Sequence, residues 1–294
     1  MRNVNRNHKN SVFTFLFSNP NLLRELYSAI EGVTLPPDIP IDINTLSNIL
    51  FMEKINDISF LLDNRIVVLI EHQSSINNNI PFRLLEYIVR IYEKIIDQEK
   101  KYNEKLINIP KPEFIILYNG TDEYPDYKEL KLSSAFMDIE GLKLTGIDKI
   151  PLELIVQVYN INRGHNPEIL KKSRTLDGYS IFIDKIREYM EKEKTLEKAL
   201  PSAVKYCISN DILKDFLREH GSEVINMFYG EYDREMDIAV KKREAWEDGH
   251  EEGLEEGKLI IAKNLLAKGS TPEFVHDITG ISLEKIKELN SEIR

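Results

Sequence analysis

Three polar side chains bound two apolar runs in residues 56–73, NDISFLLDNRIVVLIEHQ. Asp57 opens the first run, and Glu71 and Gln73 close the second. Carboxylates at the ends of apolar strands suit a hard cation held at the rim of a buried sheet. A divalent ion in such a place binds a scissile phosphate, lowers the pKa of an attacking water and stabilises the leaving oxygen, which is the chemistry of phosphodiester hydrolysis. Asp57 and Glu71 supply two carboxylates, with the carbonyl of residue 72 between Glu71 and Gln73. Mg²⁺ commonly takes one or two carboxylates and completes its shell with water and substrate oxygens; Mn²⁺ is the alternative. Gln73 is an amide, suited to orienting a water or a phosphate oxygen and poorly suited to general-base work. His72 alternates to the other face and reads as a packed histidine. No Cys/His metal spacing, phosphate-cradling glycine loop or nucleophilic serine motif competes with this cluster.

The elements that must position these residues are a hairpin and a helix. A two-residue turn at Asp63-Asn64 sets Asp57 opposite Ile70 and sends Glu71 to the other face, because side chains alternate along a strand. A three-residue loop, Asp63 to Arg65, or a bulge, sets Asp57 opposite Glu71. The second is favoured. It gathers Asp57, Glu71 and Gln73 on one face and leaves Ile58, Phe60, Leu62, Ile66, Val68 and Ile70 on the other. After the polar loop SSINNNI, Pro81 opens a helix expected to reach about Asn103, with Leu84, Leu85, Ile88, Ile91, Tyr92 and Ile95 as its apolar stripe. Arg83, Tyr87, Arg90 and Lys94 share another face, from which Arg83, Arg90 and Lys94 are candidates to contact DNA phosphates.

Elsewhere, residues 10–31 read as two helices broken at Ser18-Asn19-Pro20, and Phe114–Tyr118 and Leu152–Tyr159 as further strands. Residues 121–150 read as a loop-rich stretch. Helices are expected from Pro167, from Tyr179 to Lys194, and throughout the chain after Thr195. Among them are Asp211–Glu219 and a charged helix from Ser222 to Lys268. In that helix Gly249, Gly253 and Gly257 recur four apart, a spacing that offers close approach in a homo-oligomer but reads more simply as a solvated segment. A short pair follows, capped by Thr271 and Ser282 and turned at Gly280. Its outline is that of a helix-turn-helix, but Glu284, Glu288 and Glu292 favour packing or a protein partner over DNA. Strands separated by helices define an α/β class, a mixed sheet flanked by helices, with an all-helical C-terminal region. The expected divisions are 1–194, 195–268 and 269–294.

The formal net charge of −10 is concentrated. Residues 231–256 hold eleven acids against four bases, a balance of −7, which leaves 38 acids and 35 bases elsewhere. The body is therefore nearly neutral, and net charge neither supports nor excludes nucleic acid. No apolar run reaches the roughly 18 residues of a membrane span, the N-terminus is polar, and Cys207 has no internal partner for a disulfide. Together these place the expected location in the cytoplasm.

The blocks NDISFLL, LIEHQSSINNNIPFRLLEYIVRIYEKI, IPKPEFIILYNG and LELIVQVYNINRGHN resemble the PD-(D/E)XK nuclease family transposases, also called recombination-promoting nucleases, over residues 8–190. The resemblance implies a restriction-endonuclease-like core in residues 1–194 and Mg²⁺-dependent DNA cleavage linked to recombination or mobile elements. It makes Asp57 and Glu71 the motif acids, with Gln73 where many nucleases of the wider superfamily carry lysine. Relatives tend to have an acid on the first helix where this chain reads Lys9-Asn10-Ser11-Val12-Phe13. If that acid binds metal, Asn10 offers a neutral oxygen in its place and a weakened enzyme; if it caps the helix, Asn10 serves as well. The rival expectation is a catalytically silent DNA-binding or assembly module that kept the fold.

Overall fold

The computed structural model describes residues 11–43, 58–97, 99–137 and 150–293. Two compact units divide at Tyr229/Gly230. In the first, α1 (Val12–Phe17) and α2 (Pro20–Glu31) are separated at Ser18-Asn19, as their caps dictate. Ser11 accepts from the Thr14 amide, Asn19 accepts from the Asn21 amide with Pro20 in the first turn, and Gly32 ends α2 at φ 70°.

A six-stranded sheet forms the centre of the unit. Its strands are β1 (Ile41–Asp42), β2 (Ile58–Leu62), β3 (Ile66–Gln73), β4 (Lys111–Tyr118), β5 (Tyr127–Lys131) and β6 (Ile155–Asn160), in the order β1-β2-β3-β4-β6-β5. β3, β4 and β6 run parallel and the other pairings are antiparallel, so the sheet is mixed. The β2–β3 ladder runs from Ile58↔Ile70 to Leu62↔Ile66, the register of the three-residue connection. Asp63 and Asn64 take φ of 48° and 52°, and the Arg65 amide closes the turn onto the Leu62 carbonyl at 2.9 Å. Arg65 is then the extra residue that shifts the register by one.

That register sorts the side chains onto two faces. Leu61, Val67, Leu69, Phe114, Ile116, Val156 and Val158 pack under α3 (Ile80–Ile95), against its Leu84, Ile88 and Ile91. Ile58, Phe60, Leu62, Val68, Ile70, Ile115 and Leu117 face the opposite core, built from α1, α2, α5 (Arg174–Glu193), α6 (Leu196–Ser209) and the start of α7 (Lys214–Ala267). The short α4 (Pro167–Lys172) leads into α5, whose N-terminus is held by α2. The Ser173 hydroxyl and the Thr175 amide both donate to Glu25 Oε1, at 2.7 and 3.0 Å, a carboxylate at a helix N-terminus.

Several expectations need correction. α3 stops at Ile95, not Asn103. Ile96 is extended, and Asp97 caps a short 3-10 turn, Glu99–Tyr102, through the Glu99 amide. Tyr87 is buried rather than on the solvent face, because its ring fills the space between α3 and the sheet. β1 and β5 carry no sequence signal of a strand. One has two residues, and the other, YKELK, is an exposed polar edge strand with no apolar alternation to betray it. α6 does not begin a separate region at residue 195. Its Leu200, Ala203 and Cys207 are fully buried in the first unit's core, together with Leu217 and Val224 of α7. The expected break between helices at 219–222 is absent, since α7 is helical from Lys214, after Asp211 and Leu213 turn the chain at positive φ.

In the second unit, α8 (Pro272–Thr279) and α9 (Leu283–Ile293) bury Val275, Ile281, Ile286 and Leu289 with Ala262 and Leu266 of α7. Thr271 caps α8, and Gly280 ends it at φ 69°. Within the chain itself, a Cβ placed on Gly253 or Gly257 meets nothing within 4 Å.

Candidate functional site

The site is built where β3 ends. Glu71 and Gln73 share the α3 face with Val67 and Leu69, and stand abreast of Ile116 and Tyr118 on the parallel neighbour β4. Glu71 is a carboxylate only 5% exposed, and such burial is costly unless donors or a cation face it. The Gln73 amide nitrogen donates to Glu71 Oε2 at 2.7 Å, and Arg83 Nη2 lies 3.8 Å from Oε1. The donation through nitrogen leaves Oε1 of Gln73 as the acceptor side of the amide. Arg83 is braced in turn. Its Nε and Nη2 both lie 3.3 Å from the Tyr87 hydroxyl one helical turn on, and its guanidinium carbon is 5.9 Å from the centre of that ring.

Sequence reasoning placed Arg83 among the phosphate-binding residues and missed its pairing with Glu71. Loop length gave no signal for it: the six residues between Gln73 and α3 can span roughly 20 Å, so they do not fix where the first turn of the helix lies. Arg90 and Lys94 are exposed on the same helix. At 1.5 Å per residue they stand roughly 10 and 16 Å beyond Arg83 along the axis, so the structure does not bring them to Glu71. Asp57 and Asn10 lie outside the described residues. The helix cap considered for Asn10 is made by Ser11.

His72 points to the other side, as alternation requires. Its ring stacks on Phe13 with centroids 5.0 Å apart and meets Tyr179 edge-on, with the Tyr179 hydroxyl 3.3 Å from Nε2. Desolvation, aided by the Arg187 charge, pushes its pKa down to about 4, so the ring is neutral at physiological pH.

The strand ends beside the site are tied by a polar network that the sequence pattern did not assign. Arg187 of α5 donates to the Asn162 side chain at 2.8 Å and to the Asn119 carbonyl, while Asn162 donates to the Gly120 carbonyl at 3.0 Å. The Asn119 amide donates to the Gln73 carbonyl at 2.9 Å, so this network reaches the site through the main chain. Gly120 is required here for close approach, since a Cβ on it would lie 2.2 Å from the Ser74 carbonyl oxygen. Its visible signals were the polar residues Asn119-Gly120, Asn160 and Asn162 at the strand ends.

The donor chemistry at Glu71 fits a hard cation, with a carboxylate and an amide at hand and the imidazole turned away. Among the described residues no group of three or more His, Cys, Asp or Glu side chains gathers to hold a metal. Asp57 is thus the residue on which a second carboxylate depends.

Fold and site together define an α/β protein whose mixed sheet carries a buried carboxylate at a strand end. A family model described as "Putative transposase, YhgA-like" matches residues 44–200, and the chain belongs to that family, consistent with a transposase of the PD-(D/E)XK type. No curated protein and no solved structure matches the chain. Family membership points to a role with mobile elements and to interaction with DNA. Among the described residues no helix is long and apolar enough to cross a membrane.

Proposed function

We propose that this protein is a metal-dependent DNA endonuclease serving recombination or mobile elements. The observation that carries the reading is the buried Glu71 carboxylate at the C-terminal end of β3, aligned with Gln73 and facing α3. Asp57 and Glu71 would hold Mg²⁺, or Mn²⁺, which supplies charge for the scissile phosphate and a water acidified for attack. Gln73, fixed through its nitrogen on Glu71, presents its oxygen to orient a water or a phosphate-bound proton. Arg90 and Lys94, exposed along α3, would contact backbone phosphates further along the duplex. Plasmid nicking with and without divalent ion tests the reading. The parent should cut only with the ion, Asp57→Ala and Glu71→Ala should not cut, and Asn10→Asp should raise activity if position 10 is a lost ligand. Cleavage equal in the parent and both alanine variants refutes the assignment.

One observation favours a second reading, a silent DNA-binding or assembly module. Both oxygens of Glu71 already face donors from the chain itself. Calorimetry with Mg²⁺ and Mn²⁺ separates the two, since a silent module binds neither ion at millimolar concentration. Self-association through the C-terminal helices is a further part of the proposal. Leu254, Ile260, Ile261, Phe274 and Ile278 are exposed in that unit, and light scattering of the full chain reads the result.

A further inference from the structure

We infer that Arg83 is the internal counter-cation of Glu71 and competes with the metal for that carboxylate, so that Arg83, braced by Tyr87, sets the affinity of the site. The inference rests on the metal-dependent reading above.

A carboxylate as enclosed as Glu71 needs compensation when no ion is bound. Gln73 satisfies Oε2 but is neutral. Arg83 faces Oε1 with a full positive charge. The brace explains why a long, flexible side chain stays at this oxygen. Two of its N–H groups converge on the hydroxyl of Tyr87, a residue 6% exposed and packed in the α3 core.

Arg83 is also placed to leave. Its side chain is 37% exposed, against 6% for Glu71, so the guanidinium can turn outward into water while the carboxylate cannot follow. A cation seated on Glu71 shares the carboxylate with the guanidinium, well inside the roughly 8–10 Å over which salt screens charge. Their repulsion at a sheltered rim opposes binding, and displacement of Arg83 is part of loading the ion. Once displaced, the guanidinium lies at the mouth of the same site, where an incoming phosphate is the nearest chemistry it can pair with.

Titration calorimetry of the full chain with Mg²⁺, without DNA, tests this through affinity rather than activity. Arg83→Gln should bind the ion about 10- to 100-fold more tightly than the parent, the scale by which neighbours of ligands alter affinity. Arg83→Lys, which keeps the charge, should stay near the parent, Tyr87→Phe should fall between, and Glu71→Gln should abolish binding. A residue that merely supports the fold predicts the opposite sign, since its loss weakens the site. Equal or weaker binding by Arg83→Gln, with the parent binding normally, overturns the inference and leaves the nuclease reading standing. Absence of binding in the parent and every variant overturns both. If Arg83→Gln does not fold, Tyr87→Phe decides: tighter binding supports the competition, and unchanged binding rejects it.

Discussion

Glu71 and His72 are consecutive residues at the end of one strand, and the sheet sends them into opposite worlds. On the α3 side, Glu71 keeps an amide and a guanidinium within reach, at 2.7 and 3.8 Å, and a way out to solvent through Arg83. On the other side, His72 is stacked on Phe13 and crossed by Tyr179, and its pKa is driven to about 4. Both are titratable groups removed from water, but one is met by donors and a charge while the other is neutralised. The difference separates a face that surrounds its buried acid with donors from one that encloses its histidine among aromatic rings, and the proposed chemistry belongs to the first.

The comparison breaks most sharply at Glu71. Glu71→Ala should lower metal-dependent cleavage on the order of 10³-fold, the scale lost with a group acting on developing charge, with little change in the melting temperature. A comparable loss of stability would move Glu71 to the structural side. Next comes the face behind it. Phe13 is fully buried against His72, and Phe13→Ala should cost about 3–5 kcal/mol by denaturant unfolding while folded protein retains its metal affinity. A variant of normal stability would mean that the dry face is not what holds the strand end.

The same face contains Cys207, buried in the core, where burial raises the thiol from 9.0 to about 11. Only the thiolate reacts, so at pH 8 alkylation of the native protein should be at least about 100-fold slower than of the unfolded chain. The sign for stability follows. Below pH 9 both states hold the thiol. As pH rises from 9 towards 11 only the unfolded chain ionises, and stability is lost across that window. Rapid native labelling would expose a loosely packed core. The smallest effect belongs to the outer turns of α3. Arg90→Ala with Lys94→Ala should weaken DNA binding severalfold and reduce the log–log salt slope by about 2, at about 0.9 for each phosphate no longer neutralised. An unchanged slope would remove these two residues from the interface.

Much of this arrangement was legible in the sequence. Alternation alone put Glu71 and Gln73 on one face and His72 on the other, and the favoured three-residue connection is the one the β2–β3 ladder adopts. The break at Ser18-Asn19-Pro20, the Thr271 cap and the left-handed Gly280 set helix boundaries because their signals are local, whereas the cap of α1 is Ser11 and not Asn10. The edge strand β5 was not legible, because YKELK pairs through its backbone and buries almost nothing.

By itself, then, the sequence determined what depends on neighbours along the chain: strand faces, the helix starts marked by Pro20, Pro167 and Thr271, and the identity of the acid at the end of β3, whereas α5 starts at Arg174 rather than Tyr179. Only the tertiary structure decided what surrounds that acid. Arg83, expected only as a phosphate contact, lies 3.8 Å from Glu71, Tyr87 is buried and braces it, and Arg187 joins strand ends far from it in sequence. Charge pairing depends on distance in space, and neither periodicity nor composition encodes which faces of two separate elements come to rest against each other.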